Sequence, residues 1–421
     1  MARAMKDSGI AWIGEIPEEW ETNTVFQLFT QVKNKNEGLK EQNLLSLSYG
    51  KIKRKSIDTT EGLLPESFDG YNIIEAGDIV LRLTDLQNDQ RSLRVGLATE
   101  RGIVTSAYLT IRNRSKSIPR YLYYYLHSFD ICKGFYCMGG GVRQGLNWDG
   151  VKWVKVLSPS VEEQKRIADY LDAECARIDA VIEQTRASIE EYKKLKQAVI
   201  TQAVTKGIRP NRPMKDSGID WIAQIPEEWD ALRGKWLFHE TDERSEDGSE
   251  ELLTVSHITG VTPRSQKNVN MFMSESFVGY KICSVNDIAA NTMWMWQGAI
   301  GVSKYHGVIS PSYNTYRQTN NQYNPDYLDY LLRIRPLVDT YNANSTGITA
   351  SRLRLYPDRF LSILFPIPPM NEQIEIAAYL NEKIGKVGEL IKKKEQYLSE
   401  LENYKKSMIF EHVTGKMHLL K

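Results

Sequence analysis

Two textures of apolar and polar residues alternate along the chain. In the first, apolar runs are short and bounded by Gly or polar residues, as in Asp78-Ile79-Val80-Leu81 and Tyr108-Leu109-Thr110-Ile111. Such runs predict strands joined by loops. In the second, apolar residues return in multiples of seven. Leu171, Ile178, Tyr192 and Val199 keep that spacing, and so do Leu380, Val387, Leu401 and Met408. Lys and Glu fill much of the remainder. No Gly or Pro interrupts Val161 to Val204; no Pro interrupts Asn371 to Val413, where Gly385 and Gly388 are weak points. The spacing predicts two long helices, each with a coiled-coil seam. Polar Thr185 and Lys394 break the two seams at the same heptad position. Forty-odd helical residues make a rod of roughly 60 Å. Neither rod can bury its seam alone, so the two are expected to pack on each other.

The textures alternate because the chain is written twice. Met5 to Trp20 reads MKDSGIAWIGEIPEEW and Met214 to Trp229 reads MKDSGIDWIAQIPEEW, identical at thirteen of sixteen positions with an offset of 209. The offset returns in Glu66 to Tyr71 against Glu275 to Tyr280, and in Gly77-Asp78-Ile79 against Asn286-Asp287-Ile288. It returns again in Pro159, Glu163, Gln164 and Ile167 against Pro368, Glu372, Gln373 and Ile376. Between these blocks the register slips: Gly102 to Arg112 aligns with Gly307 to Arg317 at an offset of 205. A shared scaffold carrying different surfaces is the reading this supports. It sets the expected fold class as α/β (α+β), with two similar bodies and two long helices. Those helices are expected to pair as an antiparallel coiled coil, making the repeat a pseudo-two-fold. The segments are 1–157, 158–208, 209–366 and 367–421. The loop Thr205 to Pro213 ends the first helix and opens the second copy.

Composition narrows function mainly by exclusion. The four cysteines, Cys132, Cys137, Cys175 and Cys283, contain no Cys-x-x-Cys pair, and the six histidines do not cluster near them. A zinc site and a disulfide framework are not expected. The polar start and the lack of any long apolar run point to a cytoplasmic protein without membrane spans. No phosphate-binding Gly-x-x-x-x-Gly-Lys-Ser/Thr loop, dinucleotide fingerprint, His-Glu-x-x-His or Gly-x-Ser-x-Gly occurs. Formal net charge is only +1, so any nucleic-acid affinity must reside in local patches. Residues 1–155 hold 21 Lys or Arg against 18 Asp or Glu, with Lys51, Lys53, Arg54 and Lys55 clustered. Residues 213–365 hold 14 against 18, but twelve of those acids precede Leu252. From 252 to 365 there are ten basic and six acidic residues.

Asn324-Pro325-Asp326-Tyr327 resembles the Asn-Pro-Pro-Tyr loop of adenine methyltransferases. Its counterpart in the other copy is Ile118-Pro119-Arg120-Tyr121. A proline in the first turn of a helix explains both. The Gly-led segments Gly141 to Asn147 and Gly347 to Leu353 differ in detail on a repeated scaffold, which is where binding residues usually sit.

The organisation resembles the specificity subunits of type I restriction-modification enzymes. The likeness rests on Ser8-Gly9-Ile10, Trp12-Ile13-Gly14, Ile16-Pro17 and Trp20 with their second copy, and on Gly77 to Val80. It rests further on Trp296 to Ser303 and on Pro368-Pro369 with Glu372-Gln373, although Ser158-Pro159-Ser160 replaces the double proline in the first copy. The resemblance implies a non-catalytic chain with two target-recognition domains, each reading half of a split site in double-stranded DNA. It implies that the helices act as a ruler and as the dock for two methylation subunits. Restriction and translocase subunits would complete the complex. No cofactor is expected in this chain; S-adenosylmethionine belongs to the methylation partners. Candidate DNA-binding residues are Arg82, Thr84, Asp85, Gln87, Asn88, Arg143, Gln144 and Asn147 in the first copy. In the second they are Asn291, Thr292, Trp294, Gln297, Thr349, Ser351 and Arg352. These are side chains able to reach base edges or phosphates from loops. A methyltransferase with its own active site and a coiled-coil scaffold without a nucleic-acid role are the alternatives.

Overall fold

A computed structural model describes residues 3–57, 67–89, 91–138, 145–267, 276–347 and 353–418. The chain divides into two compact units. One comprises Met1–Arg186 with Gln396–Lys421, and the other Ala187–Glu395. The two long helices predicted by the heptads span Val161–Lys206 and Met370–Val413. They are not bodies of their own, since each is divided between the two units. Their apolar faces complete the cores of the units they enter. Ile167, Leu171 and Ile178 join Met408, Ile409 and Val413 in one core. Ile200 and Val204 join Ile376, Leu380 and Ile384 in the other.

Each unit contains the same antiparallel four-stranded sheet. In the first unit the strands are β1 (Phe29–Gln31), β2 (Ile79–Leu81), β3 (Val95–Leu97) and β4 (Leu109–Asn113), in the order β1-β4-β2-β3. In the second they are β5 (Phe238–Thr241), β6 (Ile288–Ala290), β7 (Ile300–Val302) and β8 (Asn314–Gln318), in the order β5-β8-β6-β7. Ile79, Val80 and Leu81 are all fully buried, which is why this stretch reads as a continuous apolar run rather than an alternating one. The repeated Asp before β2 and β6 fixes the turn that feeds the strand. Asp78 accepts the Glu75 N–H at 2.8 Å and two guanidinium bonds from Arg112, each 2.7 Å. Asp287 does the same with Ser284 and Arg317. The residue just before it has positive φ, +94° at Gly77 and +72° at Asn286. Glycine and asparagine are the types that tolerate that conformation.

Helices α1 (Pro119–Ile131), α2 (Val161–Lys206), α3 (Pro325–Leu332) and α4 (Met370–Val413) frame the sheets. The Pro-Glu-Gln signature at the head of each long helix proves to be a junction. Gln164 accepts the Ile118 N–H at 2.8 Å and donates to the Pro159 carbonyl at 2.9 Å. Gln373 accepts the Asn324 N–H at 2.8 Å and donates to Pro368 at 2.8 Å. The preceding Glu accepts the indole N–H of the repeated tryptophan, Trp20 to Glu163 at 3.1 Å and Trp229 to Glu372 at 3.0 Å. Arg3 and Arg212 pair with the same two carboxylates. The repeat is thus kept by buried polar groups that need one another.

Inside each unit the helical segments run in opposite directions. In the first, Tyr170 stacks on His412 and Asp179 pairs with Lys405 at 2.6 Å. In the second, Arg209 pairs with Glu375 at 2.9 Å, and the Lys394 ammonium lies 5.7 Å from the Tyr192 ring centroid. The polar breaks in the seams are therefore accommodated. Thr185 is buried and donates its hydroxyl to Val181 O at 2.8 Å, while Lys394 caps an aromatic face. Among the described residues no helix is long and apolar enough to cross a membrane.

Candidate functional site

In the first unit the candidates gather on the segment that leaves β2. Leu83 and Leu86 are buried anchors, with Thr84, Gln87 and Asn88 exposed between and beyond them. Arg82 and Asp85 are half-buried. The segment is held by Arg94, a residue the sequence did not single out. Arg94 is fully buried. Its guanidinium donates to the carbonyls of Arg82 (3.1 Å), Thr84 (2.7 Å), Asp85 (3.2 Å) and Asp89. It also donates to the Tyr136 hydroxyl at 2.9 Å. A planar fork of five N–H donors suits this task. Asn88 donates to Asp85 at 2.8 Å, and Arg82 lies 3.7 Å from Asp89. Asn147 is brought to the same place, because the neighbouring Leu146 N–H binds the Leu83 carbonyl at 2.9 Å. The Asn147 side chain is exposed and accepts the Gly150 N–H at 3.2 Å. Arg143 and Gln144 lie outside the described residues.

Beneath this segment sits Asp130. Its carboxylate accepts the Arg94 backbone N–H at 2.6 Å through Oδ2, and its Oδ1 has no hydrogen-bond partner. Burial pushes this carboxyl up to about 6, against the opposing hydrogen bond.

The second unit builds the same position differently. Asn291 is buried, donating to the Tyr313 hydroxyl at 2.8 Å and accepting the Met293 N–H at 3.2 Å. Thr292 donates to the Ser312 carbonyl at 2.7 Å. Both side chains are engaged in shaping the segment. What it presents outward is aromatic: Trp294 is 49% exposed and lies nearly parallel to Trp296, with ring centroids 6.2 Å apart. Gln297 is half-buried next to them. Gly298, at φ +90°, ends this short turn against Val338. Thr349, Ser351 and Arg352 lie outside the described residues; on either side, Thr346 and Arg354 exchange backbone bonds of 2.9 and 3.0 Å.

The motif that suggested methyl transfer is a helix cap. Asn324 accepts the N–H groups of Asp326 and Tyr327, both at 3.1 Å, with Pro325 in the first turn. Asp326 pairs with Lys304 at 2.8 Å. Among the described residues no group of three or more His, Cys, Asp or Glu could hold a metal ion. The basic cluster of the first unit is partly neutralised, as Lys51 pairs with Asp179 and Arg54 with Glu100.

Compared with known proteins, the chain is 23% identical over 438 aligned positions to the putative type I restriction enzyme MjaX specificity subunit of Methanocaldococcus jannaschii, covering 97% of this chain and 96% of that one. This chain is a homologue of type I specificity subunits. A second such relative, the MjaVIII type I specificity subunit of the same organism, matches at 23% identity over 52% of this chain and 49% of its own length. The fold of this chain is also seen in a chain from a structure of complex assembly and conformational transition of the type I restriction-modification system. It matches with a TM-score of 0.69 at 15% identity, covering 96% of this chain and 99% of that chain. No family model matches the chain.

Three residues that shape the two surfaces in this specificity-subunit homologue were not among the DNA-binding candidates: Arg94, Tyr313 and Trp296, the last of which entered only through the family resemblance. Arg94 had one available signal. It is a lone charge beside Leu93 and Val95, at the mouth of a strand where a solvated Arg would break the apolar run.

Proposed function

We propose that this chain is the DNA-sequence-reading subunit of a type I restriction-modification complex, with one half-site read by each unit. The observation that carries the proposal is the pair of segments after β2 and β6. The strands beneath them repeat in order and pairing, and the side chains they expose do not: Thr84, Gln87 and Asn88 in one, Trp294 beside the half-buried Trp296 in the other. A scaffold required only to fold, or only to dock a partner twice, has no need to vary there. Two readers of different half-sites do.

In this reading the paired helices act as the ruler in an antiparallel coiled coil and form the dock for two methylation subunits. S-adenosylmethionine and the methylating site belong to those subunits, and restriction and translocase subunits complete the complex. Sequences bound by the complex, selected from a pool of random duplexes, should contain two fixed motifs separated by a fixed gap. Inserting four residues after Gln184 and four after Lys393 lengthens both helices by about 6 Å. At about 3.4 Å per base pair the gap should grow by about two base pairs, with both motifs unchanged. A single motif, or a folded insertion variant with the original gap, would refute the division of labour.

A further inference from the structure

A cleft of about 790 Å³ opens in the first unit, lined in part by Arg91 and Leu93 from the end of the connection between β2 and β3. The turn of the hairpin Leu45–Ser48/Lys51–Arg54, the C-terminal end of α1, and the α2 and α4 segments of this unit form its walls. Seven Lys or Arg side chains line it against three carboxylates. The carboxylates are already engaged. Asp179 lies between Lys51 (3.0 Å) and Lys405 (2.6 Å), while Glu183 and Glu402 both bind Arg186, at 3.0 and 2.7 Å. Among the described residues Lys53, Arg91 and Lys406 have no carboxylate partner, so the cleft carries uncompensated positive charge. Its floor is apolar, with Leu93, Ile182 and Ile409 in the lining.

A buried polar group points to a ligand independently. His127 lines the cleft, is 7% exposed, and has no hydrogen-bond partner for Nδ1. Burial, reinforced by Lys405, drives its imidazole down to about 4, so the ring is neutral at physiological pH. An unpartnered nitrogen costs less as a bare acceptor than as an N–H donor in a sealed position. A neutral imidazole with its proton on Nε2 offers a donor to an anion. The repeat supplies a control. At the matching position, just past the end of α3, stands Arg333, whose charge is satisfied by Asp329 one turn earlier. The matching side chain of the second unit is thus paired, whereas His127 Nδ1 is not.

We propose that the cleft binds a phosphate-bearing ligand, with the phosphate on Lys53, Arg91 and Lys406 and the rest of the ligand against the apolar floor. The phosphate can be that of a free nucleotide or of a DNA backbone, and the two are separable. The full chain is titrated calorimetrically with ADP and with a random-sequence duplex. Wild type is compared with Lys53→Gln/Arg91→Gln, with His127→Phe, and with the exposed-charge control Lys392→Gln/Lys393→Gln. For a nucleotide site, ADP binds saturably, the Lys53/Arg91 variant weakens it at least tenfold and His127→Phe at least threefold, while duplex affinity follows the control. For a backbone site, ADP binding is absent and the Lys53/Arg91 variant weakens duplex binding, lowering the salt-dependence slope by about two. Half-site sequence preference should stay unchanged in either case, which separates this site from the reading surfaces. If neither probe responds beyond the control, the cleft is not a phosphate site.

Discussion

Arg94→Met removes the guanidinium that organises the first unit's candidate reading segment and keeps most of the side chain's length. Four backbone carbonyls and the Tyr136 hydroxyl lose their donor. A hydrogen bond to a charged group contributes about 1.5–3 kcal/mol, so the gross loss is large. Two effects reduce it. Carbonyls on this segment regain water if the segment loosens, and the cost of burying an arginine charge is recovered. The net expected loss is about 3–5 kcal/mol, the range for breaking a buried charged network. A domain in the upper part of the usual range of about 5–15 kcal/mol survives that loss and stays folded with the segment no longer fixed. The signature is therefore double: a lower urea midpoint for the first unit, and loss of one half-site motif in duplex selection with the other intact. Arg94→Lys should fall between, because an ammonium offers three donors and no planar fork. An Arg94→Met chain with the wild-type midpoint and both motifs would show that this network neither holds the segment nor prepares it to read.

Other perturbations test other parts of the argument. The Asp130 carboxyl is raised from 3.8 to about 6 in the folded chain, so the folded state holds the proton more tightly than the unfolded one. Stability from this group falls as pH rises between those values, by about 3 kcal/mol at most, and the full cost is present above pH 6. Asp130→Asn should gain on wild type between pH 4 and pH 7 in urea midpoints; a pH-independent difference would contradict this. Gln373→Ala strips partners from the Asn324 N–H and from the Gln322 and Pro368 carbonyls. It should destabilise the second unit by about 2–4 kcal/mol, read by hydrogen exchange, while the first unit holds. Trp294→Ala, at an exposed position, should change stability by no more than about 0.5 kcal/mol and alter only the second half-site motif in duplex selection.

The architecture was written in the sequence to an unusual degree, because it is written twice. An offset of 209 with thirteen identities in sixteen positions survives any uncertainty about individual strands. Heptad spacing without Pro located both long helices, since helix period and breaker residues are local properties. The reading of Pro325 as a first-turn helix residue was local as well, and the helix starting at Pro325 bears it out. What the sequence could not contain was the partnership between distant residues. Trp20 and Glu163 are 143 positions apart, as are Trp229 and Glu372, and no local pattern marks either pair. Arg94 reads in sequence as one charge among many; only its complete burial among four carbonyls makes it an organiser. Asn291, chosen for its hydrogen-bonding side chain, has that capacity turned inward to Tyr313. A polar side chain's chemistry is fixed by its type, but its direction and its freedom to meet a ligand are set by packing against residues far away in the chain. His127 and Arg333 occupy matching positions of one repeated scaffold; the Asp329 partner of Arg333 is a local pair legible in sequence, while the burial of His127 with its Nδ1 unpartnered was set by the tertiary structure.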